Sequence, residues 1–166
     1  MIFTGSLMQS DSTCREQPPS IPVDDMRETL SKKAVDHFTD PRNLGEFRTP
    51  DGLGRASIPC GDSMQIGLRV GNDRILEARF MTDGCGPVIA CGSATTELVK
   101  GRTISEAMAM SEDDIMTGLD RLPDSETHCA TLAVSALKRA LTDYLALRRE
   151  LWKKTYRQVD PFAPGK

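Results

Sequence analysis

Apolar and polar residues alternate along two neighbouring stretches in the middle of the chain. The apolar positions of the first stretch are Met64, Ile66, Leu68 and Val70, and those of the second are Leu76, Ala78, Phe80 and Thr82. Such alternation predicts two half-buried strands, each with these side chains on its inner face. The Gly-Asn-Asp sequence at 71–73 separates them and predicts a tight turn. We therefore expect an antiparallel hairpin.

Elsewhere the apolar residues recur at helical spacing. The predicted helices cover residues 26–38, 88–100, 103–110, a short segment beginning at Ser111, and residues 128–149. Residues 44–59 are interpreted as an extended, glycine-rich approach to the hairpin. Strands that are grouped together and followed by grouped helices predict an α+β domain. We expect a small antiparallel sheet of about three strands, with helices packed on one face and a long C-terminal helix.

Composition divides the chain into three parts. Residues 1–25 are rich in Ser, Thr, Pro and Gln and are predicted to form a disordered arm. Residues 26–150 carry the periodic patterns and are expected to form one domain, because 166 residues suffice for one domain with a core. Residues 151–166 are predicted to be a loose tail. Thr103 with Glu106 fits a capping box, and Gly101 suits the end of the preceding helix.

Charge and leader composition narrow the class of protein. A net charge of −3 without a basic block argues against nucleic acid or an anionic membrane as a partner. Residues 1–25 lack the features of a secretory signal or a transit peptide, and no apolar run is long enough to span a membrane. We therefore expect a cytoplasmic protein. In that reducing compartment, grouped cysteines more often bind metal or perform thiol chemistry than form disulfides.

Three of the five cysteines lie at predicted element boundaries. Cys60 precedes the first hairpin strand, Cys85 follows the second, and Cys129 begins the last helix. An antiparallel hairpin returns Cys60 and Cys85 to the same end of the sheet. Asp62 and His128 lie next to these cysteines in sequence. The set offers three thiolates, one imidazole and one carboxylate, which suit a soft or borderline metal.

Cys85 and Cys129 each precede or begin a helix, where unpaired N–H groups and the helix dipole favour a thiolate. The glycines on either side of Cys85 leave room for a group larger than a side chain. Cys91 and Cys14 are interpreted as small buried hydrophobic residues, the commonest role of a lone cysteine.

The residues alone leave three functions open. The first is a metal or cluster site, and the second is a structural zinc protein, although five candidate ligands exceed what a closed zinc site needs. The third is a thiol enzyme with Cys129 as nucleophile and His128 as base. Adjacent helical side chains project about 100° apart, so a direct His128–Cys129 hydrogen bond is not expected. His37 is the other histidine of the chain.

The motifs PCGDSM at 59–64, DGCG at 83–86 and HC at 128–129 resemble the IscU/NifU N-terminal family of iron–sulfur cluster assembly scaffolds. The resemblance extends over about residues 31–145. It implies a scaffold rather than an enzyme. Such a scaffold accepts sulfur from a cysteine desulfurase, binds iron, builds a labile 2Fe–2S cluster and transfers it to apo-proteins.

The resemblance also implies a ligand set. Cys60, Cys85 and Cys129 would hold the cluster, with Asp62 or His128 completing the set, and Cys129 would accept the persulfide. We expect the helix-start position of Cys129 to lower its pKa. A carboxylate is a hard partner for a soft centre, so Asp62 would ease cluster release. Zinc can occupy the same ligands in purified protein.

One segment departs from the family pattern. The family's Leu-Pro-Pro-Val-Lys stretch before His-Cys is Leu-Pro-Asp-Ser-Glu at 122–126 here. The second proline and the lysine are missing, which argues against binding of an Hsp70-type chaperone. His128 distinguishes the chain from the SufU relatives, which lack this residue. A monomer and a homodimer that shares one cluster both fit the resemblance.

Overall fold

The computed structural model describes the backbone of residues 30–158 and the side chains of residues 30–152. The elements in chain order are α1 (Lys32–Thr39), β1 (Gly52–Ser57), β2 (Ser63–Gly71), β3 (Arg74–Thr82), α2 (Gly86–Val99), α3 (Ile104–Met108), α4 (Glu112–Gly118), a 3-10 turn (Asp124–Glu126) and α5 (Thr127–Gln158). The predicted arm at 1–25, including Cys14, lies outside the described residues, and the division into arm, domain and tail stays a prediction.

The three strands form one antiparallel sheet in the order β1-β2-β3. The predicted α+β class, the hairpin and the long C-terminal helix are confirmed. The inner face of the sheet is fully buried at its largest residues: Met64, Ile66, Leu68 and Phe80. Helices α2 and α5 cover this face, and burial of its apolar side chains is the main favourable term that holds the layers together.

Helix α5 packs closely against β1 because two residues of β1, Gly52 and Gly54, have no side chain. A Cβ atom at Gly54 would lie under 3.0 Å from backbone atoms of Ala136 and Ala140, and one at Gly52 would clash with Ala140 and Tyr144. Helix and strand therefore touch backbone to backbone, and α5 runs antiparallel to β1. As a result, the start of α5 faces the end of β1 and the turn that follows it.

The predicted inner face of β3 is wrong at one residue. Leu76 is 53% exposed, and Ile75 is buried in its place. The cause is a bulge: Arg69 pairs with Glu77, but the next residue, Val70, pairs with Ile75. Leu76 is thus an extra residue, and the alternation shifts by one position beyond it.

Two helix boundaries also differ from the prediction. The first helix begins at Lys32, not near Met26, because Ser31 caps it by accepting a hydrogen bond from the backbone N–H of Ala34 at 3.0 Å; residues 26–29 lie outside the described residues. The last helix continues past Arg149 to Gln158, so residues 151–158 are helical rather than loose. No proline or glycine interrupts this segment, and most of its residues favour helix.

The capping signals are confirmed. Gly101 has φ +81 just after α2, and the reciprocal hydrogen bonds of a capping box join Thr103 with Glu106 and Ser111 with Asp114. None of the described helices has the length and apolar character required to cross a bilayer.

Candidate metal and cluster site

The turn between β1 and β2 carries Cys60 and Asp62. Two backbone hydrogen bonds close it, from Ile58 N–H to the Asp62 carbonyl and from Gly61 N–H to the Ile58 carbonyl, both at 3.0 Å. Gly61 has φ +100, a left-handed conformation that a side chain would strain. The tight turn leaves Cys60 exposed at the end of the sheet.

The segment after β3 lies beside this turn. The carboxylate of Asp83 accepts hydrogen bonds from Ser63 N–H at 2.7 Å and from the Ser63 hydroxyl at 3.0 Å. Because Ser63 is the first residue of β2, these bonds tie the start of the hairpin to the segment that leads into Cys85. The sequence expectation that the hairpin returns Cys60 and Cys85 to one end of the sheet agrees with this geometry.

Cys85 is the N-cap residue of α2, with extended backbone geometry and a proline in the first turn. Its side chain is exposed. Hydrogen bonding from the Cys129 thiol lowers the pKa of Cys85 to about 7, against the opposing effects of burial and of the negative charges on Asp62 and Glu126; the backbone amide of Val88 acts in the lowering direction. A large fraction of Cys85 is therefore thiolate at neutral pH.

The pKa of Cys129 shifts in the opposite direction. Its pKa is raised, first because its proton is held in the hydrogen bond to Cys85 and second because the side chain is fully buried. The expectation of a lowered pKa at this helix start is wrong. Cys129 therefore keeps its proton, and its thiol also donates to Glu126 Oε2 at 3.4 Å.

His128 and Cys129 are in contact, contrary to the expectation that adjacent helical residues would point apart. His128 Nδ1 lies 2.8 Å from the carbonyl oxygen of Ser125, to which it donates a hydrogen bond as Nδ1–H. This bond turns the ring so that Nε2 lies 3.5 Å from Cys129 Sγ. With Nδ1 protonated, Nε2 is free to accept a proton or to bind a metal.

The thiol-enzyme hypothesis gains this contact, but the raised pKa keeps Cys129 protonated until a base such as His128 removes the proton. His37 is not an alternative base. It is 5% exposed and packs against Ser93, whose hydroxyl lies 2.8 Å from His37 Nδ1.

Glu126 belongs to the site, although the sequence reasoning missed it. The ligand atoms of Cys85, Glu126 and Cys129 all lie within 4.8 Å of one another, which makes them a candidate metal-binding group among the described residues. The signal for Glu126 was its position three residues before Cys129, which places both side chains on one face at the start of a helix.

Two of the remaining predicted ligands, His128 and Asp62, lie near this group. His128 contacts Cys129, and Asp62 is close enough for its charge to act on Cys85. Cys60 lies at the same end of the sheet but is not part of the group of three. Cys91 is buried in α2 and burial raises its pKa to about 12, which fits the prediction of a packed core cysteine.

Comparison with known proteins assigns the family. Residues 29–150 match the model of the NifU-like N terminal domain. The chain belongs to this family. An "Iron-sulfur cluster assembly scaffold protein IscU 1" of Archaeoglobus fulgidus is 39% identical over 143 residues, covering 78% of this chain and 94% of that protein. An IscU scaffold protein of Escherichia coli K12 is 43% identical over 123 residues, covering 71% of this chain and 95% of that protein.

A solved structure supports the fold of this NifU-like chain. The NifU-like N-terminal protein of Brucella abortus superposes with a TM-score of 0.60 at 15% identity, covering 70% of this chain and 94% of that one. The IscU relatives are named as scaffold proteins rather than as catalysts, in agreement with the expectation that this chain is not an enzyme. The family implies binding of an iron–sulfur cluster, and the two thiols and carboxylate of this chain are suitable ligands for iron.

Proposed function

We propose that this chain is a scaffold on which an iron–sulfur cluster is assembled from iron and sulfide and from which the cluster passes to apo-proteins. The observation that carries the proposal is the close grouping of Cys85, Glu126 and Cys129, whose ligand atoms all lie within 4.8 Å of one another. Cys85 is exposed, and its pKa of about 7 leaves a large fraction of it as thiolate, which can bind incoming metal. The names of the relatives point to the same role.

The cargo is a 2Fe–2S cluster, with Cys60, Cys85 and Cys129 as thiolate ligands and Asp62 or His128 as the fourth. The β1–β2 turn and the loop after β3 support this set, since both are fixed beside Ser63. An oxygen or nitrogen ligand binds a soft cluster less firmly than a fourth thiolate does. Such a cluster is held well enough to assemble and loosely enough to transfer. Zinc can bind to the same ligands in purified protein.

Cys129 is the proposed sulfur acceptor, and a cysteine desulfurase is the proposed donor. Cys129 must first lose its proton, and His128 Nε2 at 3.5 Å is within reach to accept it. The Cys129 thiolate then attacks the terminal sulfur of the donor's cysteine persulfide. A new S–S bond forms on Cys129, the donor's S–S bond breaks, and the donor cysteine leaves as a thiolate. This transfer itself consumes no oxidant or reductant. Release of the bound sulfur as sulfide for the cluster then takes two electrons per sulfur, which an added dithiol reductant supplies while it is oxidised to a disulfide.

The proposed partners are the desulfurase and recipient apo-proteins in the cytoplasm, with neither nucleic acid nor a membrane involved. A homodimer around one cluster is compatible with an exposed site. We do not include an Hsp70-type chaperone. In addition to the missing proline and lysine, Leu122 is buried in the core, and Asp124–Glu126 form a 3-10 turn against α5.

The test is anaerobic reconstitution with cysteine and a cysteine desulfurase, followed by addition of ferrous iron together with a dithiol reductant. Stopped before iron is added and analysed by mass spectrometry of peptides, the reaction should show the extra sulfur on the Cys129 peptide. Completed, it should give the visible absorption of a 2Fe–2S cluster that moves to an apo-ferredoxin. Tight zinc binding with neither sulfur uptake nor a cluster would instead identify a structural zinc protein.

Replacing Asp62 by alanine should give a longer-lived cluster and slower transfer to apo-ferredoxin. The carboxylate is the hardest of the proposed ligands, and its removal leaves softer ligands around the iron. The measurement is the first-order rate at which cluster absorption moves to the recipient. Asp113→Ala, which removes an exposed carboxylate from α4, is the control. Equal transfer rates for both variants and the unmodified chain would rule out this role of Asp62.

A further inference from the structure

The carboxylate of Glu126 lies against the buried thiol of the pair. Glu126 Oε2 accepts a hydrogen bond from the Cys129 thiol at 3.4 Å, and the ligand atoms of Glu126, Cys129 and Cys85 lie within 4.8 Å of one another. Two sulfurs bound to one zinc at about 2.3 Å each are roughly 4 Å apart. Only small side-chain rotations are therefore needed to bring these three atoms around one ion.

The backbone holds Glu126 in this position. Its N–H donates to the Pro123 carbonyl at 2.9 Å, and the Thr127 hydroxyl donates to the Asp124 carbonyl at 2.9 Å. These bonds fix the 3-10 turn immediately before α5. Because the turn leads directly into the helix, Glu126 and Cys129 lie on the same side, and Glu126 is half-buried there.

In the described part of the chain, Glu126 accepts a hydrogen bond from a thiol but has no cationic side chain as a partner. Among the described residues, none of the ion pairs involves Glu126. Its carboxylate accepts a hydrogen bond from the Cys129 thiol and lies within 4.8 Å of the Cys85 sulfur. A divalent cation at this place would replace that proton and bind the carboxylate and both sulfurs.

We propose that Glu126 is a direct ligand of a divalent metal ion, zinc or ferrous iron, bound together with Cys85 and Cys129. This inference deepens the proposed function, on which it rests for the identity of the site, and it adds a residue to the ligand set. Two thiolates and one carboxylate leave a fourth position for His128, Asp62 or water, as in an open tetrahedral site.

The test measures metal affinity rather than cluster transfer. Zinc and cobalt(II) are titrated anaerobically into the reduced full-length chain in competition with a chromophoric chelator. The variants are Glu126→Gln, which keeps the shape and removes the anionic ligand, and Asp124→Asn, which removes an exposed carboxylate from the same turn. Loss of a residue that only hydrogen-bonds to a metal ligand weakens metal binding about 10–100-fold. Loss of a direct ligand should cost no less, so we expect Glu126→Gln to weaken zinc binding by at least about tenfold. Asp124→Asn should change it by no more than about twofold.

The visible d–d bands of bound cobalt(II) should also shift in Glu126→Gln and stay unchanged in Asp124→Asn, because these bands report the ligands themselves. Equal affinities in the two variants, whether both unchanged or both reduced, would overturn the proposal. The proposed function fails separately. If zinc affinity depends on Glu126 but the chain builds no 2Fe–2S cluster, Glu126 is a metal ligand and the scaffold function is rejected. If the chain builds and transfers a cluster but Glu126→Gln does not change metal binding, the scaffold function stands and Glu126 is not a ligand.

Discussion

Replacing Cys85 by alanine should reduce the cluster that the chain holds after reconstitution by about tenfold or more. Cys85 is the exposed member of the thiol pair, and its pKa of about 7 makes it readier to bind metal than Cys129, whose pKa is raised. Alanine supplies no ligand atom, and it also removes the acceptor that holds the Cys129 proton. The measurement is iron and acid-labile sulfide per chain, together with the visible absorption under anaerobic conditions.

Cys91→Ala is a matched control. Cys91 lies in the same helix, but it is buried and its raised pKa of about 12 keeps it protonated. Its removal should cost a little packing energy and leave the cluster content unchanged within about twofold, because a protonated core thiol is not a ligand. If Cys85→Ala and Cys91→Ala hold the same amount of cluster, Cys85 is not a ligand and the site must be built from other residues.

The outline of the site was predictable because it depends on local signals. Alternating residues at 64–70 and the turn at 71–73 indicate a hairpin, and a hairpin necessarily returns Cys60 and Cys85 to one end. The change to helical spacing after Cys85 likewise indicates a helix start. These features follow from the order of the residues along the chain, without knowledge of tertiary packing.

The errors have a different origin. The exposure of Leu76 depends on a bulge, which is set by how β2 and β3 pair rather than by the sequence of β3. Similarly, the prediction for residues 44–59 was an extended, glycine-rich approach without strand bounds. The reason for Gly52 and Gly54 in β1 lies in α5, which comes too close there for any side chain. In both cases, contacts with a distant segment decide the structure.

The pKa values of Cys85 and Cys129 could not be predicted from the sequence either. Cys85 and Cys129 are 44 positions apart in numbering (129 − 85), and each one's pKa depends on the other. A rule based on helix position gave the right direction for Cys85 and the wrong one for Cys129, because burial and the hydrogen bond to Cys85 outweigh the helix dipole. Glu126 was missed for the same reason: only the packing at the start of α5 shows that its carboxylate lies near both sulfurs.

Replacing Gly54 by alanine should destabilise the fold by about 3 kcal/mol. The added Cβ would meet backbone atoms of Ala136 and Ala140, which cannot rotate away as a side chain can. Either α5 must move off the sheet or β1 must bend, and both changes expose apolar core. Alanine also restricts the unfolded chain more than glycine does, which favours folding by only about 0.4–1 kcal/mol and does not offset this cost. Urea unfolding of the metal-free, reduced chain measures the difference.

Gly118→Ala is the control, because it separates the steric clash with the α5 backbone from the effect that any glycine-to-alanine change has on stability. Its Cβ would lie 3.1 Å from the end of the Leu98 side chain, which can shift by the small amount needed. We expect its free energy of unfolding to change by less than about 1 kcal/mol. Since the contact of β1 with α5 also sets where Cys129 meets Cys85, Gly54→Ala should in addition raise the pKa of Cys85, measured as the pH dependence of its alkylation. A Gly54→Ala variant as stable as Gly118→Ala would show that helix and strand do not meet as closely as their backbones indicate.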